Sequence, residues 1–306
     1  MPLIKTPIEQ FISDLTSKNI KVTFCEGIKP LEQVGQVCKL VAIQLVQEYL
    51  FKQGFHTEPP LPVRKDHNPL LQFSLRKRAK LEVDSKVGEI YGPGQIKKVS
   101  EYNGFTTQSY QMHNEEDYIN FLIHSLERKH PVITYFDVTM GFESGAGEPV
   151  NRQGSFEHAA VIAGFYYEQE QLQLIALQWG HFYTFSAKNL YASTEQLSAL
   201  KNPEHFQKYY FFPTKFPKHS WLETNQFSQA LDRYCTQSVS RGFFSALNTV
   251  WPKSKARIST PPTDASGSLA NIVTVIQGTR TELNLEGFQN FSLDKTNPDT
   301  QVNFSM

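Results

Sequence analysis

The chain has 306 residues, which allows one large domain or two smaller ones. Lys plus Arg and Asp plus Glu each number 30, so the formal net charge is zero and does not indicate binding to nucleic acid or to an anionic membrane. Three widely spaced cysteines, Cys25, Cys38 and Cys235, argue against a disulfide scaffold and a zinc ribbon and favour a reducing compartment.

The N-terminal sequence MPLIKTPIEQFISDL predicts a short helix with Thr6 as its N-cap and Glu9 completing a capping box. The same stretch lacks an apolar run long enough for a signal peptide. No segment of the chain approaches the roughly 18 to 20 apolar residues of a membrane span. We therefore expect a cytosolic protein, and any export would use a route without a cleaved signal.

The next elements are a strand and a buried helix. KVTFCEGI (21–28) predicts a short strand or extended segment. Residues 37–51 predict a helix that is apolar nearly all round, which is typical of a helix inside a domain. From 53 to 88 the chain is rich in Pro, His and basic residues. This composition favours a solvated insertion with a short helix, and a basic docking surface is the alternative.

The middle of the chain predicts one more helix and then strands. Residues 114–130 predict an amphipathic helix capped by Asn114, and PVITYFDV follows as a buried strand. A long glycine-rich loop at 141–155 is typical of a connection that carries function or moves. Four further strands are predicted after it, in the segments HAAVIAGFYY, QLQLIALQW, HFYTFSA and KYYFFPT.

This order of helices first and an antiparallel sheet after them predicts an α+β fold. We expect residues 1–214 to form one domain that contains the insertion at 53–88. Residues 215–306 are predicted to form a helical extension, with a helix at 221–250, a linker rich in Pro, Ser and Thr, and a polar tail.

Cys38 is the first candidate for chemistry, because it lies at the start of the predicted buried helix. The positive end of a helix dipole favours a thiolate over a thiol, and a nucleophilic thiolate also needs a base, usually His, with a group that orients it. Most of the nine histidines lie in polar segments, turns or helices. His158 differs, because it opens the apolar strand HAAVIAGF directly after the long loop.

Gln178 is the candidate for the orienting group. It lies near the end of the next strand, in the sequence LQWG, where a strand reversal would bring its amide beside His158. Trp179 follows and would shield the hydrogen bond between them from water. Gln33, five residues before Cys38, completes a chain order of Gln, Cys, His and amide. Papain-like cysteine hydrolases share this order, and in them the Gln and the Cys backbone N–H form the oxyanion hole.

Four segments in register resemble the actin maturation protease family, a papain-like group. QVGQVCKLVAIQLV resembles the family signature Q-x-G-P-x-C-G-L-V-A-L, and GEIYGPGQIKKVSEYNGF resembles its G-E-M-F segment. The stretch HPVITYFDVTMGFESGAGEPVNRQGSFEHAAVIAGF resembles its strand, acidic loop and G-x-x-A-H-W-A-V block. ALQWGHFYTFSAKNLYASTEQL resembles its R-Q-G-K-S segment and the S-N-x-Q-L that follows. The resemblance covers residues 30 to 214 of the chain.

The resemblance implies a papain-like fold and the removal of an acetylated N-terminal residue from actin through an acyl-enzyme. It implies Cys38 as nucleophile, His158 as general base, Gln33 in the oxyanion hole and Gln178 as orienting residue. The chain departs from the family pattern at three positions. Lys39 stands where the family has Gly, Gln36 where it has Pro, and Ala159 where it has Trp.

Three residues are candidates for contact with substrate: Lys39, Glu157 and Trp179. A Lys39 cation beside Cys38 would also favour the thiolate. Ala159 in place of Trp would widen the cleft or make it less apolar, which leaves the identity of the substrate open.

The sequence leaves two other functions open. The same Cys–His pair serves transglutaminase, deamidase or isopeptidase chemistry, and a non-catalytic binding module would need neither residue. No cofactor or metal is expected, because no His or Cys pair has the spacing of zinc ligands. The expected partner is a protein substrate, with no nucleic acid or membrane, and the chain is expected to be a monomer. An actin substrate would require a eukaryotic cytosol, either native or reached by a secreted bacterial effector.

Overall fold

A computed structural model describes residues 3–33, 37–63, 74–83, 90, 92–139, 145–152, 154, 157–197, 268–280 and 283–294. These residues form an eight-stranded antiparallel sheet with helices packed on it, which confirms the predicted α+β class. Six strands follow the order β2-β8-β3-β5-β6-β7, while β1 pairs with β5 and β4 pairs with β3. Among the described helices, none is long and apolar enough to cross a lipid bilayer.

The elements have the following bounds. The helices are α1 (Ile8–Ser17), α2 (Cys38–Lys52), α3 (Leu75–Glu82), α4 (Pro93–Ser100), α5 (Glu115–Glu127) and α6 (Ala187–Glu195), with a 3-10 helix at Glu286–Phe291. The strands are β1 (Val22–Phe24), β2 (Thr106–Gln111), β3 (Val132–Val138), β4 (Pro149–Val150), β5 (Glu157–Glu168), β6 (Gln171–Gln178), β7 (His181–Ser186) and β8 (Ile272–Gln277).

The centre of the fold is α2, which packs against β5. It is buried on most of its sides, as the sequence predicts, and lacks the single apolar face of an ordinary amphipathic helix. At α5 the predicted cap is confirmed, because the side chain of Asn114 accepts a hydrogen bond from the backbone N–H of Asp117 at 2.8 Å. The cap predicted at Thr6 is wrong, because α1 begins at Ile8 with Pro7 before it and no side-chain cap.

The C-terminal part contributes to the sheet. Residues 272–277 form β8, which lies between β2 and β3 and pairs antiparallel with both. The predicted helical extension is therefore wrong for 268–294. The reason is that the β-branched run IVTVIQ is apolar enough to be buried on both faces of a sheet. The helix predicted at 221–250 and the strand predicted at 208–214 lie outside the described residues.

The insertion predicted at 53–88 contains the expected short helix, α3, but one side of that helix is buried through Leu75 and Ala79. Arg78 donates hydrogen bonds to the carbonyls of Lys98 and Glu101 near the end of α4. Its guanidinium also lies 4.8 Å from the centre of the Tyr102 ring. These contacts join α3 to α4, so this basic residue supports the fold. Residues 64–73 and 84–89 lie outside the described part.

Candidate active site

Cys38 is the first residue of α2, the position that the sequence predicts for it. Its side chain is buried, with 8% of its surface exposed, and it is a thiol that forms no disulfide. The residue before it, Val37, provides no side-chain cap for the helix. The backbone N–H groups of the first turn therefore supply positive partial charge close to this sulfur.

The next residue, Lys39, points into the protein. It is 3% exposed, and its ammonium lies 2.6 Å from the carboxylate of Glu157, the first residue of β5. An amine buried to this degree requires a partner of opposite charge, and Glu157 is that partner. Two of the three residues predicted to contact substrate are thus joined to each other, one beside Cys38 in the chain and the other beside His158.

His158 lies on β5 opposite Phe136 of β3 and is 4% exposed. Its imidazole packs edge-on against the Phe136 ring at 5.7 Å and at a tilt against the Trp179 indole at 5.1 Å. Burial, together with the smaller effect of the positive charge of Lys39, lowers the pKa of His158 to about 3. The imidazole is therefore neutral near pH 7, the form that accepts a proton.

Gln178 ends β6, and its amide opposes the effect of burial on the pKa of His158. The Nε2 group of Gln178 donates a hydrogen bond to the carbonyl of Gly147 at 2.7 Å. A carbonyl only accepts, so this bond orients the amide and leaves Oε1 as its remaining acceptor. Among the described residues, neither Oε1 of Gln178 nor Nε2 of His158 makes a hydrogen bond, although both atoms are buried.

The position of Gly147 requires glycine. Its φ is +89°, and a Cβ at this position would lie 2.7 Å from Nε2 of Gln178 and 2.5 Å from the Tyr183 ring. The described end of the long loop therefore passes close over the amide of Gln178. That this loop carries function stays a prediction.

A tight turn follows Gln178. Trp179 and Gly180 both have left-handed backbone angles, with φ of 49° and 77°. The backbone of Glu32 lies directly against this turn, since a Cβ on Gly180 would be 3.4 Å from the Glu32 Cα. Gln33 is the next residue along the chain and is half-buried. The segment that carries the predicted oxyanion glutamine therefore borders the turn that holds Trp179.

Tyr135 is a neighbour of the site that the sequence did not predict. Burial raises its pKa; a hydrogen bond with Thr274 and the charge of Lys39 oppose this rise, while Glu157 and Cys38 add to it. The phenol is thus close enough to respond to all three residues. Its hydroxyl donates to Oγ1 of Thr274 on β8 at 2.8 Å. The sequence offered one signal for Tyr135, since it lies on the predicted strand PVITYFDV, which precedes the long loop.

Asp137 is the second neighbour that sequence reasoning missed. Its buried carboxylate accepts hydrogen bonds from the backbone N–H groups of Arg152 at 3.2 Å and Gly154 at 2.6 Å. Ser193 of α6 donates to the carbonyls of Asp137 and Val150. These bonds hold the chain just before β5 against the end of β3. The entry of β5, where His158 lies, is therefore anchored from two elements.

The structure brings the imidazole of His158 together with Trp179, close to Gln178, and brings Lys39 together with Glu157. Cys38 belongs to the same neighbourhood through Lys39 and Tyr135. Residues 34–36, between Gln33 and α2, lie outside the described part of the chain. Within the described ranges, no three His, Cys, Asp or Glu side chains are grouped in a way that could hold a metal ion.

No family model matches the sequence, and no curated protein matches it significantly.

Proposed function

We propose that the protein is a cysteine hydrolase of the papain-like type, with Cys38 as nucleophile and His158 as general base. One observation carries this proposal. The buried, neutral imidazole of His158 lies beside the amide of Gln178 and the indole of Trp179. Its chain neighbour, Glu157, is ion-paired to the residue that follows Cys38 at the start of α2. A structural histidine or cysteine needs no such combination.

The orientation of Gln178 supports the assignment of roles. Because its Nε2 donates to Gly147, its Oε1 faces outward from that bond as an acceptor. The donor that suits it is the Nε2–H of His158, which would leave Nδ1 of the imidazole as the base. The tautomer of the imidazole would then be set by the amide, as an orienting residue does in a catalytic triad.

The proposed reaction has two halves. Nδ1 of His158 takes the proton of the Cys38 thiol, the sulfur bonds to the substrate carbonyl carbon, and the C–N bond breaks as the imidazolium returns a proton to the leaving amine. Water then attacks the thioester, gives its proton to His158 and releases the carboxylic acid and the thiol. The backbone N–H of Cys38 and the amide of Gln33 would stabilise the oxyanion in both halves.

The substrate class proposed is a protein N-terminus that bears an acylated residue, and the acetylated N-terminus of actin is the first candidate. This part of the proposal rests on the resemblance of the four sequence segments. A transfer of the acyl group to an amine, or a deamidation, would use the same thioester. Mass spectrometry of the products separates these reactions, because water and an amine give products of different mass.

Alkylation by iodoacetamide at about pH 6.5, followed by peptide mapping, tests the nucleophile directly. We expect Cys38 to react faster than the protected Cys25, and His158→Ala to slow the reaction of Cys38 by at least about a hundredfold. Cys25 is the internal control, since burial raises the pKa of its thiol to about 12. Equal labelling of the two thiols in a folded protein, or labelling of Cys38 that ignores His158→Ala, would contradict the proposal.

A second measurement tests the reaction. Acetylated actin N-terminal peptides are incubated with the protein and with the Cys38→Ser variant, and the products are identified by mass. Release of the acetylated first residue by the unchanged chain alone supports peptidase activity on this substrate. No cleavage, in a protein whose Cys38 shows His158-dependent labelling, would exclude this actin peptide while leaving the hydrolase chemistry in place.

A further inference from the structure

We infer that the ion pair between Lys39 and Glu157 is a positioning device that holds the helix of Cys38 against the strand of His158. The inference rests on the proposed function and adds two positioning residues to it. It also assigns to Lys39 and Glu157 a role other than contact with substrate, because each is the partner of the other within the protein.

The first step is geometric. The Lys39 ammonium and the Glu157 carboxylate are 2.6 Å apart, and they link the first turn of α2 to the first residue of β5. Consecutive Cα atoms lie about 3.8 Å apart, so Cys38 and His158 are each one residue from the bridged pair. A displacement of either element that separates the two charges therefore also changes the position of the Cys38 backbone relative to the His158 backbone.

The second step is energetic. Lys39 is almost fully buried, whereas the Glu157 side chain is 28% exposed. A buried ammonium that loses its carboxylate is strongly destabilised, so the helix start cannot move away from Glu157 without that cost. The restraint acts between the start of α2 and the start of β5, the two elements that carry Cys38 and His158.

The third step is electrostatic. The Lys39 charge lowers the pKa of His158 and thereby favours the neutral base, and it also affects the phenol of Tyr135. Glu157 has the opposite effect on the same phenol. At the phenol of Tyr135 the two charges of the pair thus act in opposite directions. Removal of the Glu157 carboxylate alone leaves the Lys39 cation uncompensated near the imidazole. Removal of both side-chain charges leaves neither a charge nor the restraint.

The experiment measures the rate of Cys38 alkylation by iodoacetamide at about pH 6.5 in four variants. These are Glu157→Gln, the double variant Lys39→Met with Glu157→Met, and each of them combined with His158→Ala. We expect Glu157→Gln to slow Cys38 by about tenfold to a hundredfold, the range expected for a misplaced reacting group. The double Met variant keeps the fold and stays slow, because apolar side chains replace the charges but do not restore the link.

The His158→Ala background distinguishes positioning from a general loss of structure. If the pair acts through the imidazole, Glu157→Gln has no further effect once His158 is gone. If Glu157→Gln slows Cys38 alkylation by the same factor in the His158→Ala background, the inference is overturned. A double Met variant that labels at the rate of the unchanged protein overturns it as well.

Two controls complete the design. Labelling of Cys25 reports unfolding in every variant, and the double Met variant decides the question if Glu157→Gln fails to fold. Glu48→Gln breaks a more exposed ion pair with Lys52 on the same helix, 3.1 Å long, and should leave Cys38 unchanged. Failure of the proposed function has a separate result: His158→Ala alone would leave the rate of Cys38 labelling unchanged.

Discussion

The two described cysteines have similar neighbours but different settings. Cys25 follows β1, is fully buried and lies beside Tyr49 and Lys129, while Cys38 begins α2 beside Lys39 and near Tyr135. Each thus has a tyrosine and a lysine near it. The difference is that Cys38 begins a helix, next to a lysine that is ion-paired to the chain neighbour of His158.

The comparison shows why a lysine near a thiol does not by itself make it reactive. Burial raises the pKa of Cys25 to about 12, although a hydrogen bond with Tyr49 and the charge of Lys129 act against the rise. The Lys129 ammonium also donates to the carbonyl of Phe24 at 3.0 Å, so its charge serves the backbone. A thiol buried in this way is protected, and its labelling is a measure of unfolding.

The largest effect is expected from breaking the strand that supports both regions. Val273 of β8 pairs with Tyr110 on one side and Thr134 on the other. Val273→Pro removes a backbone donor from the interior of the sheet and should cost at least about 3 kcal/mol of stability. At urea concentrations that unfold this variant but not the unchanged chain, Cys25 and Cys38 of the variant would label at similar rates. A combined urea titration and alkylation experiment measures this.

Val273→Ile is the matched control for this prediction, since it keeps the backbone donor and the β-branched shape. If Val273→Pro unfolds at the same urea concentration as the unchanged chain, β8 does not hold the sheet together. The comparison also tests whether the C-terminal strand belongs to the same cooperative unit as the two thiols.

A smaller effect is expected from pH, because each region has a buried histidine nearby. Burial lowers the pKa of His158 to about 3 and that of His130, next to Lys129, to about 4. The unfolded chain takes up protons on these groups below about pH 6.5, while the folded chain does not, so stability falls as the pH falls. Between pH 7.5 and 5, each histidine should account for a loss of about 2 kcal/mol.

Urea unfolding of His158→Gln and His130→Gln across this pH range checks the prediction. Each variant should lose less stability on acidification than the unchanged protein, by about 2 kcal/mol. A pH dependence that both variants share with the unchanged chain would mean that other groups cause it. The cysteine labelling at each pH shows which of the two regions opens first.

The smallest effect concerns the region of Cys25 alone. The Tyr49 hydroxyl donates to the carbonyl of Lys129 at 2.9 Å. Tyr49→Phe leaves that carbonyl without this donor and should cost about 1 kcal/mol, with faster labelling of Cys25 and no change at Cys38. Tyr167→Phe, on a side chain that is half exposed, serves as the control and should change neither thiol. An equal change at both thiols in Tyr49→Phe would show that the two regions are coupled.

Much of the fold could be predicted because its signals are local. The apolar residues around α2, the cap at Asn114 and the strand pattern of β5 to β7 each depend on residues close in sequence. The strand β8 was missed for the opposite reason. Its partners β2 and β3 lie more than a hundred residues earlier in the chain, and the run IVTVIQ is surrounded by polar segments. Its β-branched residues were nevertheless a signal that favoured a strand.

At the candidate site, the sequence by itself determined where the candidate residues lie: a cysteine at a helix start, a histidine at the start of a strand, and an amide at the end of the next. Only the tertiary structure decided their surroundings. The pairing of Lys39 with Glu157, the orientation of Gln178 by Gly147, and the position of Tyr135 all join segments distant in the chain. Local patterns predict helices and strands, but contacts between elements depend on how their side chains pack, and no short stretch of sequence encodes that.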